Sequence, residues 1–62
     1  SKADTYYFIK DKKSIWLYQG KKNQYKKILT SKYPIEQLKY SGNRLKYKIN
    51  KNDNLYIKYK RG

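Results

Sequence analysis

The sequence contains no cysteine, histidine or methionine, and only four of its 62 residues are acidic. The lack of cysteine excludes disulfides, and without cysteine or histidine a zinc site is not credible. General acid–base catalysis usually relies on histidine or on a carboxylate kept protonated, which a background of 17 lysine and arginine residues disfavours. We therefore predict that the protein is not an enzyme and that it requires neither a metal nor another cofactor.

Long apolar runs are also absent, because no segment approaches the roughly 20 residues needed to span a bilayer. Glycine occurs three times at isolated positions, so no glycine-rich loop is available to hold a phosphate. The spacings of zinc fingers, calcium-binding loops and RNA-recognition motifs are missing as well. These motifs are local in sequence, so their absence excludes the corresponding sites.

The excess of basic residues is the main positive feature, with a formal net charge of +13. Solubility requires a net charge of only about 2–8 for a domain of this size, and the excess destabilises the folded state by self-repulsion. Lysine can accumulate on a protein surface without any function, but such accumulation would not by itself remove acidic residues. We therefore attribute the imbalance to a polyanionic partner.

Aromatic residues supply most of the large apolar side chains: nine tyrosines, one phenylalanine and one tryptophan. A domain this short buries only about 60% of the surface of its unfolded chain. Each large ring can bury about 150–250 Å², so a few rings can support a small core. We predict a single small cationic β domain over residues 1–62.

Apolar residues recur with a period of two, which is typical of strands. Short aromatic and β-branched runs separated by turn-forming residues predict consecutive hairpins; the runs are 6–9, 15–18, 25–29, 45–49 and 55–59. Residues 34–40 fit either a single helical turn, with Pro34 first and Gly42 beyond its end, or a strand, which we favour. The predicted fold class is all-β: a five- or six-stranded antiparallel meander forming a small barrel or half-barrel.

The C-terminal hairpin shows the clearest alternation. Odd positions in 45–49 are apolar and even positions are lysine, and 55–59 continue the apolar positions. With 50–54 as the connection, we expect the lysines of both strands to project from one basic face, opposite a buried face. Lysine on the edge strand of a sheet can also deter aggregation. That role explains lysines on a single edge strand, but it does not explain lysines on two adjacent strands. The predicted polyanion-binding residues are Lys26, Arg44, Lys46, Lys48, Lys58 and Lys60.

The first two strands have apolar or aromatic residues on both sides. If Phe8 and Leu17 face the core, then Tyr7, Trp16 and Tyr18 lie on the outer side. The alternative is that both sides are covered by other strands. Tyrosine and tryptophan tolerate partial exposure, because each carries a polar group on an apolar ring. The predicted aromatic contact residues are Tyr7, Trp16, Tyr18 and Tyr56.

Several partners fit this surface. We favour a cationic module that binds anionic cell-envelope polymers or membranes and is antibacterial, in the manner of a bacteriocin. The start at Ser1, the absence of methionine and the lysine bias favour a secreted protein; the alternative is a cytoplasmic one. The second candidate is a small β-barrel that binds DNA or RNA without sequence specificity, since two arginines allow little bidentate base reading. A third is an interaction or inhibitor protein for an acidic partner. We expect no small-molecule substrate.

Overall fold

A computed structural model describes residues 5–61. This part of the chain forms six strands and no helix: β1 (Thr5–Lys10), β2 (Ser14–Gln19), β3 (Gln24–Thr30), β4 (Ile35–Ser41), β5 (Arg44–Lys51) and β6 (Asn54–Arg61). All pairings are antiparallel. The prediction of an all-β chain is confirmed, and residues 35–41 form a strand rather than a helical turn.

The strands form two separate three-stranded sheets, so the expected barrel is not closed. Sheet A has the order β1-β2-β3 and sheet B has the order β4-β5-β6. Residues 31–34 lead the chain from one sheet to the other, and β3 does not pair with β4. Each meander is therefore complete in itself, and the sheets meet through side chains and a few hydrogen bonds.

The two turns of sheet B are both two residues long. Ser41 pairs with Arg44 around Gly42-Asn43, and Lys51 pairs with Asn54 around Asn52-Asp53. Gly42, Asn52 and Asp53 have φ values of 62°, 53° and 65°. Two-residue hairpin turns need residues with positive φ, because the backbone twist of a turn built from them matches the twist of the flanking strands. Glycine, asparagine and aspartate supply this conformation at lower cost than other residues.

The turn at Asn52-Asp53 fixes the register of β5 against β6. A two-residue turn pairs odd-numbered with even-numbered positions, so Tyr47 lies opposite Lys58 and Lys46 lies opposite Tyr59. The prediction that the lysines of β5 and β6 share one face is therefore wrong: Lys46 and Lys48 lie on one face, and Lys58 and Lys60 on the other. The strands extend further into 50–54 than expected. This register also avoids lysine opposite lysine, which would be destabilising.

The core is small and is shared by the two sheets. Its buried members are Ile15 from sheet A and Ile35, Leu45 and Ile49 from sheet B, and Ile15 and Leu45 are fully buried. Partly buried side chains pack around them: Tyr7, Ile9, Ile28, Leu29, Tyr33, Leu38 and Tyr47. The described chain measures 40 × 24 × 15 Å, and so thin a molecule can enclose few side chains.

Backbone hydrogen bonds join the sheets at the β1–β2 turn. The N–H of Ile35 donates to the carbonyl of Lys12 at 2.7 Å, and the N–H of Ser31 donates to the carbonyl of Lys13 at 2.6 Å. Nearby, two ammonium groups approach Tyr33: the Nζ atoms of Lys32 and Lys51 lie 5.8 and 5.5 Å from its ring centroid. The turn and the 31–34 segment therefore position one sheet against the other.

Candidate functional site: an aromatic face and a basic face

Sheet A carries five aromatic rings on the side away from the core, and we call this the aromatic face. Cross-strand pairing places Tyr6 opposite Tyr18, Phe8 opposite Trp16, and Tyr18 opposite Tyr25. The centroid distances are 5.4 Å for Tyr6–Tyr18 and 5.0 Å for Tyr18–Tyr25, and Phe8 meets Tyr25 edge-on at 6.0 Å. The four rings other than Trp16 therefore form one contiguous cluster, and Trp16 is the cross-strand partner of Phe8 at its edge. Phe8 therefore lies on the outer side with Trp16, and the arrangement in which Phe8 faces the core does not occur.

Trp16 is held in a fixed position at one end of the aromatic face. Its indole Nε1–H donates to Ser14 Oγ at 3.1 Å, and the Ser14 hydroxyl donates to the carbonyl of Lys10 at 2.8 Å. The Nζ of Lys10 lies 5.0 Å from the Trp16 ring centroid, within the range of a cation–π contact. The indole is thus half-buried, oriented and accompanied by a cation.

Basic residues flank the aromatic face at both ends of sheet A. The β1–β2 turn carries Lys12 and Lys13, and the β2–β3 turn carries Lys21 and Lys22; all four are exposed. Lys27 lies opposite Trp16 on β3. The result is an apolar patch with ammonium groups around it.

Tyr7 lies on the other side of β1. It pairs with Leu17 and packs against the core, and its ring centroid is 4.9 Å from that of Tyr40 on β4. Burial raises the pKa of Tyr7 above 10.0, and the neighbouring Tyr40 hydroxyl raises it further. The expectation that Tyr7 shares the outer side with Trp16 is therefore wrong. Because successive side chains alternate, Tyr7 connects the sheets instead.

Sheet B has a strongly basic outer face, which we define as Lys39, Arg44, Lys46, Lys48 and Arg61. Its first row contains Ser41, Arg44 and Arg61, and its second contains Lys39, Lys46 and Tyr59. Glu36, the acidic residue of β4, lies towards the opposite end, where its Oε2 accepts a hydrogen bond from Asn50 Nδ2 at 3.3 Å. The cations therefore concentrate at the end formed by the β4–β5 turn.

This end of the basic face contains two shallow depressions that share Ser41 and Arg44. One is lined by Lys39, Ser41, Arg44, Lys46 and Tyr59, and the other by Ser41, Gly42, Asn43, Arg44 and Arg61. Cζ of Arg44 lies 5.6 Å from the Tyr59 ring centroid. The guanidinium is therefore held beside an aromatic ring at the wall common to both depressions.

The predicted polyanion-binding residues are distributed over three surfaces. Arg44, Lys46 and Lys48 lie together on the basic face, whereas Lys58 and Lys60 pair with Tyr47 and Leu45 on the other side of sheet B. Lys26 pairs with Leu17 in sheet A. Tyr56 of β6 pairs with Ile49 of β5 and is 47% exposed. It belongs to sheet B and therefore does not lie on the aromatic face.

Sequence reasoning missed Lys39 and Arg61 as members of the basic face. A signal for Lys39 was available: a Gly-Asn pair is typical of a two-residue hairpin turn. That turn places Ser41 opposite Arg44, and hence Lys39 opposite Lys46. Arg61 follows in the same way from the Asn52-Asp53 turn.

Residues 5–61 contain no group of three acidic, histidine or cysteine side chains placed to hold a metal ion. Within the same residues, no helix is long and apolar enough to cross a bilayer. No protein-family model matches the chain, and neither a curated protein nor a solved structure matches it.

Proposed function

We propose that this protein is a secreted, non-enzymatic cationic module that binds anionic membranes or other anionic polymers of the cell envelope, with an antibacterial, bacteriocin-like action. The observation that supports this proposal is the aromatic face of sheet A, whose rings form one cluster with Lys10, Lys27 and the lysine-bearing turns around it. In the proposed mechanism, the lysines draw the protein to the anionic surface, and the aromatic face then enters the headgroup region.

The energetics suit a membrane interface. Tryptophan and tyrosine are enriched at such interfaces because their rings are apolar at one end and polar at the other. Each lysine or arginine near an anionic lipid surface contributes about 1 kcal/mol of attraction. Several lysines around a partly exposed aromatic cluster therefore favour binding even where each ring is only shallowly inserted.

The packing of the rings favours this function over nucleic-acid binding. Stacking on a base requires a free ring face. On sheet A, Tyr6, Tyr18 and Tyr25 are in tilted contact with their neighbours at interplanar angles of 43–45°, and Phe8 is edge-on to Tyr25. Rings in mutual contact have less of their faces free for a base, whereas a lipid headgroup layer needs no free ring face.

Trp16 provides the direct test, because it is the single tryptophan of the chain and lies on the aromatic face. With vesicles of phosphatidylglycerol, we expect its emission to shift to shorter wavelength and to become protected from acrylamide quenching. Phosphatidylcholine vesicles should produce neither effect, and only the anionic vesicles should leak. An unshifted Trp16 spectrum with anionic vesicles, together with tight DNA binding at near-physiological salt, would overturn the proposal.

A matched pair of variants tests the location of the contact. Tyr25 on the aromatic face and Tyr56 on β6 are both exposed, at 62% and 47%. We expect Tyr25→Ser to weaken partitioning into anionic vesicles by roughly fivefold to tenfold, corresponding to about 1 kcal/mol of lost apolar burial. Tyr56→Ser should leave partitioning nearly unchanged. Equal effects of the two variants would show that the aromatic face is not the membrane contact.

A further inference from the structure

The two arginines of this lysine-rich chain lie directly opposite each other. Arg44 begins β5, Arg61 ends β6, and the two are cross-strand partners. Like charges in this position are destabilising. Elsewhere in the same hairpin, lysine lies opposite an uncharged residue, as in Lys46–Tyr59 and Lys48–Ile57. Within this hairpin the arginine pair is therefore an exception at a cost in stability. Lys39 opposite Lys46 adds a second like-charge pair in the adjacent row, and an anion beside these four groups would offset the repulsion in both.

The surroundings of the pair complete an anion site. Arg44 is oriented by the ring of Tyr59, and Ser41, its partner on β4, adds a hydroxyl group. Lys39 and Lys46 form the adjacent row and line the same depression. Both depressions are open to solvent at the end of the sheet, and no carboxylate is among the residues that line them.

From this arrangement we infer that the arginine end of the basic face is a binding site for the phosphodiester group of a polyol phosphate. A guanidinium presents a planar pair of N–H donors that match two phosphate oxygens, whereas an ammonium acts as a point charge. Arg44 and Arg61 bind the phosphate oxygens, and Lys39 and Lys46 neutralise the remaining charge. The inference rests on the proposed function and specifies the chemical group that is recognised, which lipid headgroups and envelope polymers share.

Polyol phosphates suit this site better than nucleic-acid strands. Tyr59 is the aromatic residue that lines the depression, and the Arg44 guanidinium lies over its ring. One face of the ring is therefore already engaged by a cation, which leaves less of the ring for stacking on a base. A small phosphodiester with hydroxyl-bearing neighbours needs only the guanidinium, ammonium and hydroxyl donors present here.

The test is an NMR titration of the isotope-labelled full chain with glycerophosphoglycerol, the soluble headgroup of phosphatidylglycerol. We expect chemical-shift changes at the guanidinium Nε–H groups of Arg44 and Arg61 and at the amides of Lys39, Ser41 and Lys46. Sodium acetate at equal ionic strength should not reproduce them. Changes spread evenly over the lysine-bearing turns would overturn the inference, because they would indicate diffuse charge attraction.

Two double variants separate geometry from charge. Arg44→Lys with Arg61→Lys keeps the net charge of +13, and we expect it to weaken glycerophosphoglycerol binding by about tenfold, the loss of one good bidentate contact. Lys21→Gln with Lys22→Gln removes two charges from the β2–β3 turn, which lines neither depression, and should weaken binding by less than about threefold, since exposed charges outside the site are screened by salt. The reverse order of effects would overturn the inference.

Additional binding measurements identify whether the phosphodiester comes from a lipid or from a polymer. They also distinguish a failure of this inference from a failure of the proposed function. The arginine double variant should bind both poly(glycerol phosphate) and phosphatidylglycerol vesicles more weakly if headgroup and polymer share the site; weakening of one alone would assign the site to that source. A duplex DNA that shifts the same signals at lower phosphate concentration than the polymer would overturn the assignment. Absence of a Trp16 shift with vesicles counts against the proposed function, whereas unselective NMR shifts count against the arginine site alone.

Discussion

Lys46 of β5 lies directly opposite Tyr59 of β6, and the Arg44 guanidinium lies beside the same ring. Tyr59 thus has one cation as its cross-strand partner and a second beside its ring on the outer face of sheet B. The pairing requires the two-residue turn at Asn52-Asp53, since a turn one residue longer would place Lys46 opposite a lysine. The composition of the basic face therefore depends on the length of a single turn.

This register can be tested by disulfide trapping, because the chain contains no cysteine of its own. Lys48→Cys with Ile57→Cys should form a disulfide readily, since the two residues are cross-strand partners with Cβ atoms about 4.5–5.5 Å apart. Lys46→Cys with Lys58→Cys places the two thiols on opposite faces and should remain reduced within one chain. Mass spectrometry after mild oxidation distinguishes the pairs, and closure of the second pair alone would contradict the register.

The small core makes stability sensitive to single truncations. Leu45 is fully buried, whereas Leu55 is 55% exposed. We expect Leu45→Ala to lower the free energy of unfolding by about 2–5 kcal/mol, through lost burial and the cavity it leaves. Leu55→Ala should change it by roughly 0.5 kcal/mol or less. Urea denaturation followed by Trp16 fluorescence measures both, and comparable losses would show that β6 is covered in solution.

The turn at Asn52-Asp53 holds a non-glycine residue with φ of 65° at its second position. Asp53→Gly should raise the free energy of unfolding by up to about 1 kcal/mol, because glycine adopts this conformation without the Cβ penalty. Asp53→Asn removes the same charge but keeps a side chain, and should give a smaller change. Thermal melting compares the three proteins. A gain that is equal in both variants would point to charge instead of backbone strain.

The pKa of Tyr7 is raised chiefly by burial and secondarily by Tyr40. The folded state therefore favours the neutral phenol, and this contribution to stability is complete below pH 10.0, the unfolded value. It is lost as the pH rises from there through the higher pKa of the folded state. Tyr40→Phe should lower the pKa of Tyr7 only in part. NMR titration of labelled tyrosine rings follows it directly, and a pKa of Tyr7 below that of the exposed tyrosines would contradict the packing.

The net charge of +13 predicts that salt stabilises the fold. Raising ionic strength from low values to about 0.15 M shortens the Debye length to about 8 Å and screens repulsion between cations. The urea midpoint should therefore increase with sodium chloride. Arg44→Gln should reduce this salt dependence more than Lys21→Gln, because Arg44 faces another cation. A midpoint independent of salt would contradict the expectation.

The sequence by itself determined the all-β class, the positions of the strands and the cationic character. Alternation of lysine with apolar residues, as in 45–49, has only one regular explanation, because side chains alternate across a strand. The absence of cysteine and histidine likewise excluded whole classes of site without any coordinates. Lys46 and Lys48 were correctly placed on one face because they alternate with apolar residues in one strand.

The tertiary structure decided which strands share a face and how the sheets divide. Whether Lys58 lies on the same face as Lys46 depends on whether the turn between β5 and β6 has two residues or five. A one-residue difference in register moves every side chain of β6 to the other face. Residues 6–9 and 15–18 are apolar or aromatic at every position, so both faces of these strands look alike in the sequence. Only packing against sheet B could assign Tyr7 to the interior and Phe8 to the aromatic face. The pairing of Arg44 with Arg61 also depends on that register, because 17 positions separate the two arginines in the chain.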